Sequence, residues 1–249
     1  ALNPANAARR ALGDFDDAVR GCFESLSELR PSDAQWGAAY LTTSSAGLGL
    51  RNARQYACAI YLSSVLTCDT KCTTNEGKFI SEIDLATSAI GVSLSAFNSK
   101  VRAEDILSTE SGGECRQRVL NYGIDLASAC NLHEARSLSG KAHLKLMMLE
   151  KSWAWLRAIP SENLGLHLDP LAITVLLQRR LRMPIFDEEF FCPLCDEVMD
   201  VFADHALVCP CGGDKTKRHN LLRNLVARFC GQAGIRPEVE KPGILAPPM

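Results

Sequence analysis

The chain has 249 residues, enough for one large domain or two modest ones and enough to bury a core. A formal charge of -2 excludes a polycation, so any nucleic-acid contact must come from a local patch. No run of about 18 apolar residues occurs, so no membrane span is expected, and 11 cysteines, an odd count without a secretory signal, point to a reducing intracellular compartment, cytoplasm or nucleus.

The opening "ALNPANAARR" has no initiator Met and no apolar signal region, and reads as the start of a fragment. A first helix is expected from there, with Asn3 as cap, Pro4 in the first turn, and Ala8, Leu12, Phe15, Val19, Phe23 and Leu26 along one face up to Pro31. Within it the position two before the Asp16-Asp17 pair, aromatic in a reverse-transcriptase box, is Asp14, and the run reads as a solvated face. Ser32-Asp33-Ala34-Gln35 is a capping-box pattern that opens a second helix through Trp36 and Tyr40. "AGLGLRN" reads as a glycine-punctuated turn, since it lacks a strand-loop-helix phosphate pattern. A helix from Asn52 places Ala57, Ile60, Ser64 and Val65 on one side and is broken by "DTKCTTNEG". Further helices are expected over 79–97, 115–131 and 134–157, with "STESGGE" as a loop between the first two and Pro160 ending the last. Asp169-Pro170 starts another helix that stops at Pro184. No alternating strand and no internal repeat is evident. The expected fold is therefore mainly α: a helical, bundle-like region over 1–183, a zinc knuckle over 184–212, and a basic helix with an irregular proline-rich tail over 213–249.

Composition shifts beyond Pro184. "CPLCDEVMDVFADHALVC" holds Cys192, Cys195, His205 and Cys209 in a Cys-x2-Cys-x9-His-x3-Cys pattern. The first pair puts two sulfurs on one side of a tight turn. The second pair, four apart, shares one face of a helix. Two spaced ligand pairs meet the four-ligand requirement of structural zinc. Cys211 and His219 are alternates for the fourth ligand. A closed four-ligand site has no open position for catalysis, so the expected role is structural, stapling a segment that lacks its own core. A RING-type reading would need a second ligand set, and Cys68 with Cys72 has no His or third Cys nearby.

The following segment, "GGDKTKRHNLLRNLVARFCGQAG", reads as a helix capped by Asp214 and closed by Gly234. Lys215, Lys217, Arg218, Arg223 and Arg228 face only Asp214, a local charge of +4. A solvated face is the plain reading. Contact with a phosphate backbone is the sharper one, made by Lys215, Lys217, Arg218, His219, Asn220 and Arg223. Arg179, Arg180 and Arg182 would extend the patch if the chain folds back.

Several stretches together resemble one family. Trp36 to Ser63 with its "GLGLR", "AWLRAIPSENLG" at 154–165, "RRLRMPI" at 179–185, the Cys/His stretch, and "RHNLLR" at 218–223 are similar to the region downstream of the polymerase in non-LTR retrotransposon reverse transcriptases that carry a restriction-like endonuclease. That resemblance implies a helical thumb and linker, then a CCHC knuckle with Cys192, Cys195, His205 and Cys209 as ligands, then the opening of a nuclease region at Arg218, His219 and Asn220. The polymerase aspartates and the nuclease Pro-Asp do not occur in the chain. No catalytic residue is assigned and no activity is expected from these residues alone. The function expected from the resemblance is non-catalytic, weak and salt-dependent binding of RNA or DNA, positioning template or target for polymerase and nuclease regions of a longer parent. The alternative is a domesticated remnant in which the zinc unit serves protein contacts.

Overall fold

The computed structural model describes residues 4, 7–71, 88–108, 116–163, 165 and 167–239, and it divides into two compact units, Ala1–Met183 and Pro184–Met249. It is mainly α-helical. The first unit contains α1 (Arg9–Ser27), α2 (Asp33–Ala39), α3 (Ala53–Lys71), α4 (Ala89–Asn98), α5 (Gln117–Glu134), α6 (Leu138–Met147) and α7 (Pro170–Leu181). The second contains strands β1 (Phe190–Phe191) and β2 (Val198–Met199) and helices α8 (Asp204–Val208) and α9 (Asp214–Gln232).

The centre of the first unit is α3, packed against α1, α4 and α5. Its buried residues are Tyr56, Cys58, Ala59, Tyr61, Leu62 and Ser63, which at about 100° per residue cover somewhat more than half of its circumference. The stripe expected from Ala57, Ile60, Ser64 and Val65 falls largely on the remaining side, where all four are only half-buried, because the face that α3 buries is set by the helices packed against it and not by its own apolar spacing. Ile90, Phe97, Leu107, Leu120 and Ile124 complete that core. A second cluster joins Trp36 and Ala39 of α2 to Leu181 and Met183.

Local signals explain several helix starts. The capping box at Ser32 is present, with the Gln35 N–H on the Ser32 hydroxyl and the Ser32 N–H on the Gln35 side chain. Asp169 caps α7, its Oδ1 accepting from the Ala172 N–H at 2.8 Å. Other expectations are corrected. The helix expected over 134–157 is interrupted where Ser137, extended at ψ 168°, caps α6 through the Gly140 N–H. It is interrupted again beyond Met147, where Lys151 is left-handed at φ 65°. The helix expected over 79–97 has a start at Ala89, capped by Ser88. Residues 79–87, Asn3, Cys72 and all of "STESGGE" but Ser108 lie outside the described residues.

Two charged side chains expected at the surface are core elements. Asp16 is 6% exposed, and its carboxylate accepts from the Ala53 N–H at 2.7 Å and the Arg54 N–H at 3.1 Å. It therefore caps α3 from a neighbouring helix, while Phe15 and Leu26, expected on the buried face of α1, are exposed. Arg180, expected in a basic patch, is 3% exposed and donates to the carbonyls of Gly47, Thr43 and Met147. Gly47 is required at this turn, because a Cβ there would lie 2.1 Å from the Leu41 carbonyl oxygen. The "GLGLR" stretch thus ends in a second polar lock: Arg51 pairs with the buried Asp125 at 3.0 Å, and the Tyr56 hydroxyl donates to the same carboxylate.

Candidate metal centre

The site is built on the short hairpin of the second unit. β1 and β2 are antiparallel, with Phe190 opposite Met199 and Phe191 opposite Val198. Cys192 follows β1 directly. Its N–H donates to the Glu197 carbonyl at 2.8 Å and its carbonyl accepts from the Asp196 N–H at 3.1 Å. Asp196 is left-handed at φ 59°, which turns the chain tightly enough to bring Cys195 back beside Cys192. Such a residue tolerates this region because its short polar side chain can bond locally.

After β2, Asp200 positions the second ligand pair. Its Oδ1 accepts from the Phe202 N–H at 2.9 Å and its Oδ2 from the His205 N–H at 3.0 Å, so it satisfies an orphan donor in the first turn of α8. His205 lies in that turn. The Cys209 N–H donates to the His205 carbonyl at 2.7 Å, closing the helix and placing both side chains one turn apart. Asp200 carries no expectation from the sequence. The available signal was an Asp shortly before a short helix that carries a ligand, a capping pattern.

The four ligand atoms of Cys192, Cys195, His205 and Cys209 all lie within 4.8 Å of one another, a group that could hold a metal ion. The Cys192 and Cys209 sulfurs are 3.9 Å apart, those of Cys195 and Cys209 3.7 Å apart, and the Cys195 sulfur is 3.1 Å from His205 Nε2. A disulfide needs about 2.05 Å, so the two sulfur–sulfur separations are not bonds. A tetrahedron with metal–sulfur bonds of about 2.3 Å has edges of about 3.8 Å, which both separations match. Cys192 and Cys209 are buried and Cys195 and His205 half-buried, so a bound ion would be enclosed by protein.

The electrostatics fit a cation. The backbone N–H of Leu194 draws the Cys192 thiol down to about 7, against burial and with help from His205 and Cys195. The Glu197 N–H also favours the Cys195 thiolate, but burial and the neighbouring Cys209 and Cys192 sulfurs push that group up to about 11. Like charges this close suppress each other's ionisation. A divalent ion among them removes that conflict and deprotonates the thiols outright.

The alternates fall outside the four-atom group. Cys211 packs half-buried against it. His219 is an exposed residue of α9. Between the group and α9 the chain passes through Gly212 and Gly213, at φ 77° and 73°. A Cβ on Gly212 would lie 2.6 Å from Leu194 Cδ1, so the glycine permits the chain to pass close to the knuckle.

The expected nucleic-acid residues share α9. Lys215, Lys217, Arg218 and His219 are exposed, and Asn220 and Arg223 half-buried. Arg218 also donates to the Leu207 carbonyl at 2.7 Å, tying α9 to α8. The cap position of α9 is Gly213 rather than Asp214, and no side chain caps it. Gly234, at φ 76°, closes the helix as expected, with the Ile235 N–H on the Cys230 carbonyl at 2.8 Å. Among the described residues, no helix is long and apolar enough to cross a membrane. No family model, curated protein or solved structure matches the chain.

Proposed function

We propose that residues 184–239 are a zinc-held module that presents α9 to a phosphate backbone of RNA or DNA, without catalysis of its own. The observation that carries this reading is the junction: four Cys/His ligand atoms within 4.8 Å, followed through two glycines by a helix with five cations. Zinc is the ion of choice because three thiolates and an imidazole in tetrahedral spacing suit it, whereas magnesium and calcium take oxygen. The ion staples a segment with few buried side chains and so fixes where α9 begins. Lys215 and Lys217 lie in the first turn of α9, where backbone N–H groups and the helix dipole add to their attraction for phosphate. The similarity to post-polymerase regions of retrotransposon proteins supports the same reading, with template RNA or target DNA as the ligand and polymerase and nuclease regions of a longer protein as neighbours. Thiolate ligands also imply a reducing compartment, cytoplasm or nucleus.

The test combines elemental analysis with a salt titration. Protein made with zinc supplied should carry one zinc per chain. Binding of labelled RNA or DNA should be micromolar at low salt. With about three phosphates neutralised, log affinity should fall against log salt with a slope of roughly -2 to -3. Lys217→Glu with Arg223→Glu should abolish it, and the same reversal at Arg9 and Arg10 should leave it unchanged. Equal binding by both double variants and the parent would reject the phosphate role.

A further inference from the structure

The helical unit holds a cavity of about 350 Å³, lined among the described residues by side chains of α1, α3 and α4 and by Lys100 just beyond α4. Three of the lining residues are cations, Arg9, Arg54 and Lys100, and none is an acid. Local structure brings the three together. Arg9 and Gly13 lie one turn apart on one face of α1. A Cβ on Gly13 would meet the Arg54 guanidinium at 1.7 Å, so the glycine seats that group against α1, one turn from Arg9. Lys100 reaches back to α3, its ammonium donating to the Gln55 carbonyl at 2.9 Å and the Arg54 carbonyl at 3.5 Å. Those carbonyls hold the ammonium in place without neutralising it. Among the described residues, none of the three side chains makes an ion pair. The carboxylates of α1 do not line the cavity. Asp16 is buried and holds the Ala53 and Arg54 N–H groups, and Asp14 and Asp17 are exposed.

A second observation comes from Ser93. It is 2% exposed and lines the cavity, yet its hydroxyl has no hydrogen-bond partner among the described residues. A helical serine that is buried ordinarily bonds the carbonyl four residues back, and a buried hydroxyl left unpaired costs stability unless something else pairs it. Around Ser93 the lining is apolar, made by Cys58, Val92 and Ala96.

We infer that this cavity binds a small phosphate monoester with an apolar body. Such a group is dianionic above its second pKa of about 6 and offers three acceptor oxygens. Two guanidinium groups, an ammonium and a hydroxyl supply the matching donors, and guanidinium forks suit phosphate geometry. A carboxylate brings one charge and two oxygens, which leaves part of that set unmatched. The volume lies within the range of small-ligand pockets, about 300–1,000 Å³, and exceeds what a bare phosphate fills. The wall of Cys58, Val92 and Ala96 therefore selects an apolar body behind the phosphate. A phosphodiester inside a nucleic-acid strand carries one charge and has chain on both sides, so it is the poorer fit to a recess that ends at Ser93. The site is separate from the basic face of α9, and its occupancy does not depend on the role given to that helix.

The test is calorimetric titration of the full chain with phenyl phosphate, inorganic phosphate and benzoate. Phenyl phosphate should bind at least ~10-fold more tightly than benzoate, which lacks the second charge. It should bind at least ~3-fold more tightly than inorganic phosphate, which lacks the apolar body. Arg54→Met should weaken phenyl phosphate at least ~10-fold, and Ser93→Ala at least ~3-fold. Arg10→Met, outside the cavity, should leave affinity within about two-fold. Circular dichroism checks that each variant is folded, and Ser93→Ala, which removes a single oxygen from a helix, decides the matter if Arg54→Met is not. Benzoate or inorganic phosphate binding as tightly as phenyl phosphate overturns the inference. Undiminished binding in a folded Arg54→Met or Ser93→Ala variant does the same. Displacement of phenyl phosphate by a 5′-phosphorylated oligonucleotide at a lower concentration than the ester itself requires assigns the recess to a strand end, and overturns it too.

Discussion

In the first unit α3 packs more than half of its circumference into an apolar cluster with α4 and α5, whereas in the second the buried residues of the core cluster are Cys192, Met199 and Cys209. Two of those three are candidate ligands, so among its described residues the second unit has almost no apolar core apart from the candidate metal site. A short segment cannot remove enough apolar surface from water to offset the entropy of ordering it. One coordinated ion can, because its binding free energy becomes folding free energy. On the proposed reading the two units rest on different terms, one on area and one on coordination.

The largest expected effect separates them. Chelation, or Cys192→Ser, should unfold residues 184–239 and leave the helical unit folded, since structural zinc contributes on the order of 10 kcal/mol. Amide hydrogen exchange should show protection lost around β1, β2 and α8 and retained in α3 and α5. Retained protection at Cys209 after complete metal removal would erase the distinction between the units.

A smaller effect belongs to the helical unit alone. Burial, then the hydrogen bond and charge of Asp125, raise the Tyr56 hydroxyl from about 10 to about 12. A raised folded-state pKa holds its proton more tightly, so this contribution is complete below pH 10 and is lost as pH rises from 10 to 12. Two pH units correspond to about 2–3 kcal/mol. Urea unfolding of the parent should weaken across that window, and Tyr56→Phe should flatten the slope. An unchanged slope in the variant would remove Tyr56 from the account.

The smallest concerns the cap supplied by α1. Asp16→Ala should cost about 1–2 kcal/mol, because it strips both orphan N–H groups at the start of α3 of their acceptor. Asp14→Ala or Asp17→Ala, both exposed, should change stability by less than about 0.5 kcal/mol. Thermal melting of the helical unit distinguishes the three, and equal shifts would return Asp16 to the solvated face first expected for it.

What the sequence determined by itself was whatever depends on near neighbours. The capping box at Ser32, the Asp169-Pro170 start of α7 and the stop at Gly234 are bonds spanning a few residues, so spacing and residue type suffice. The Cys/His cluster was legible for the same reason: a tight turn and one helical turn are local shapes, and they bring four ligand atoms together once the hairpin closes. Tertiary structure decided the remainder. Asp16 looks like any solvated carboxylate until α3 presents two N–H groups to it, and Arg180 looks like a surface cation until the Gly47 turn surrounds it with carbonyls. Both depend on partners 33 or more residues away. The broad buried face of α3 and the exposed apolar side of α9 likewise follow from what packs against each helix. Their apolar spacing alone could not reveal that, because the same period serves a covered face and an open one.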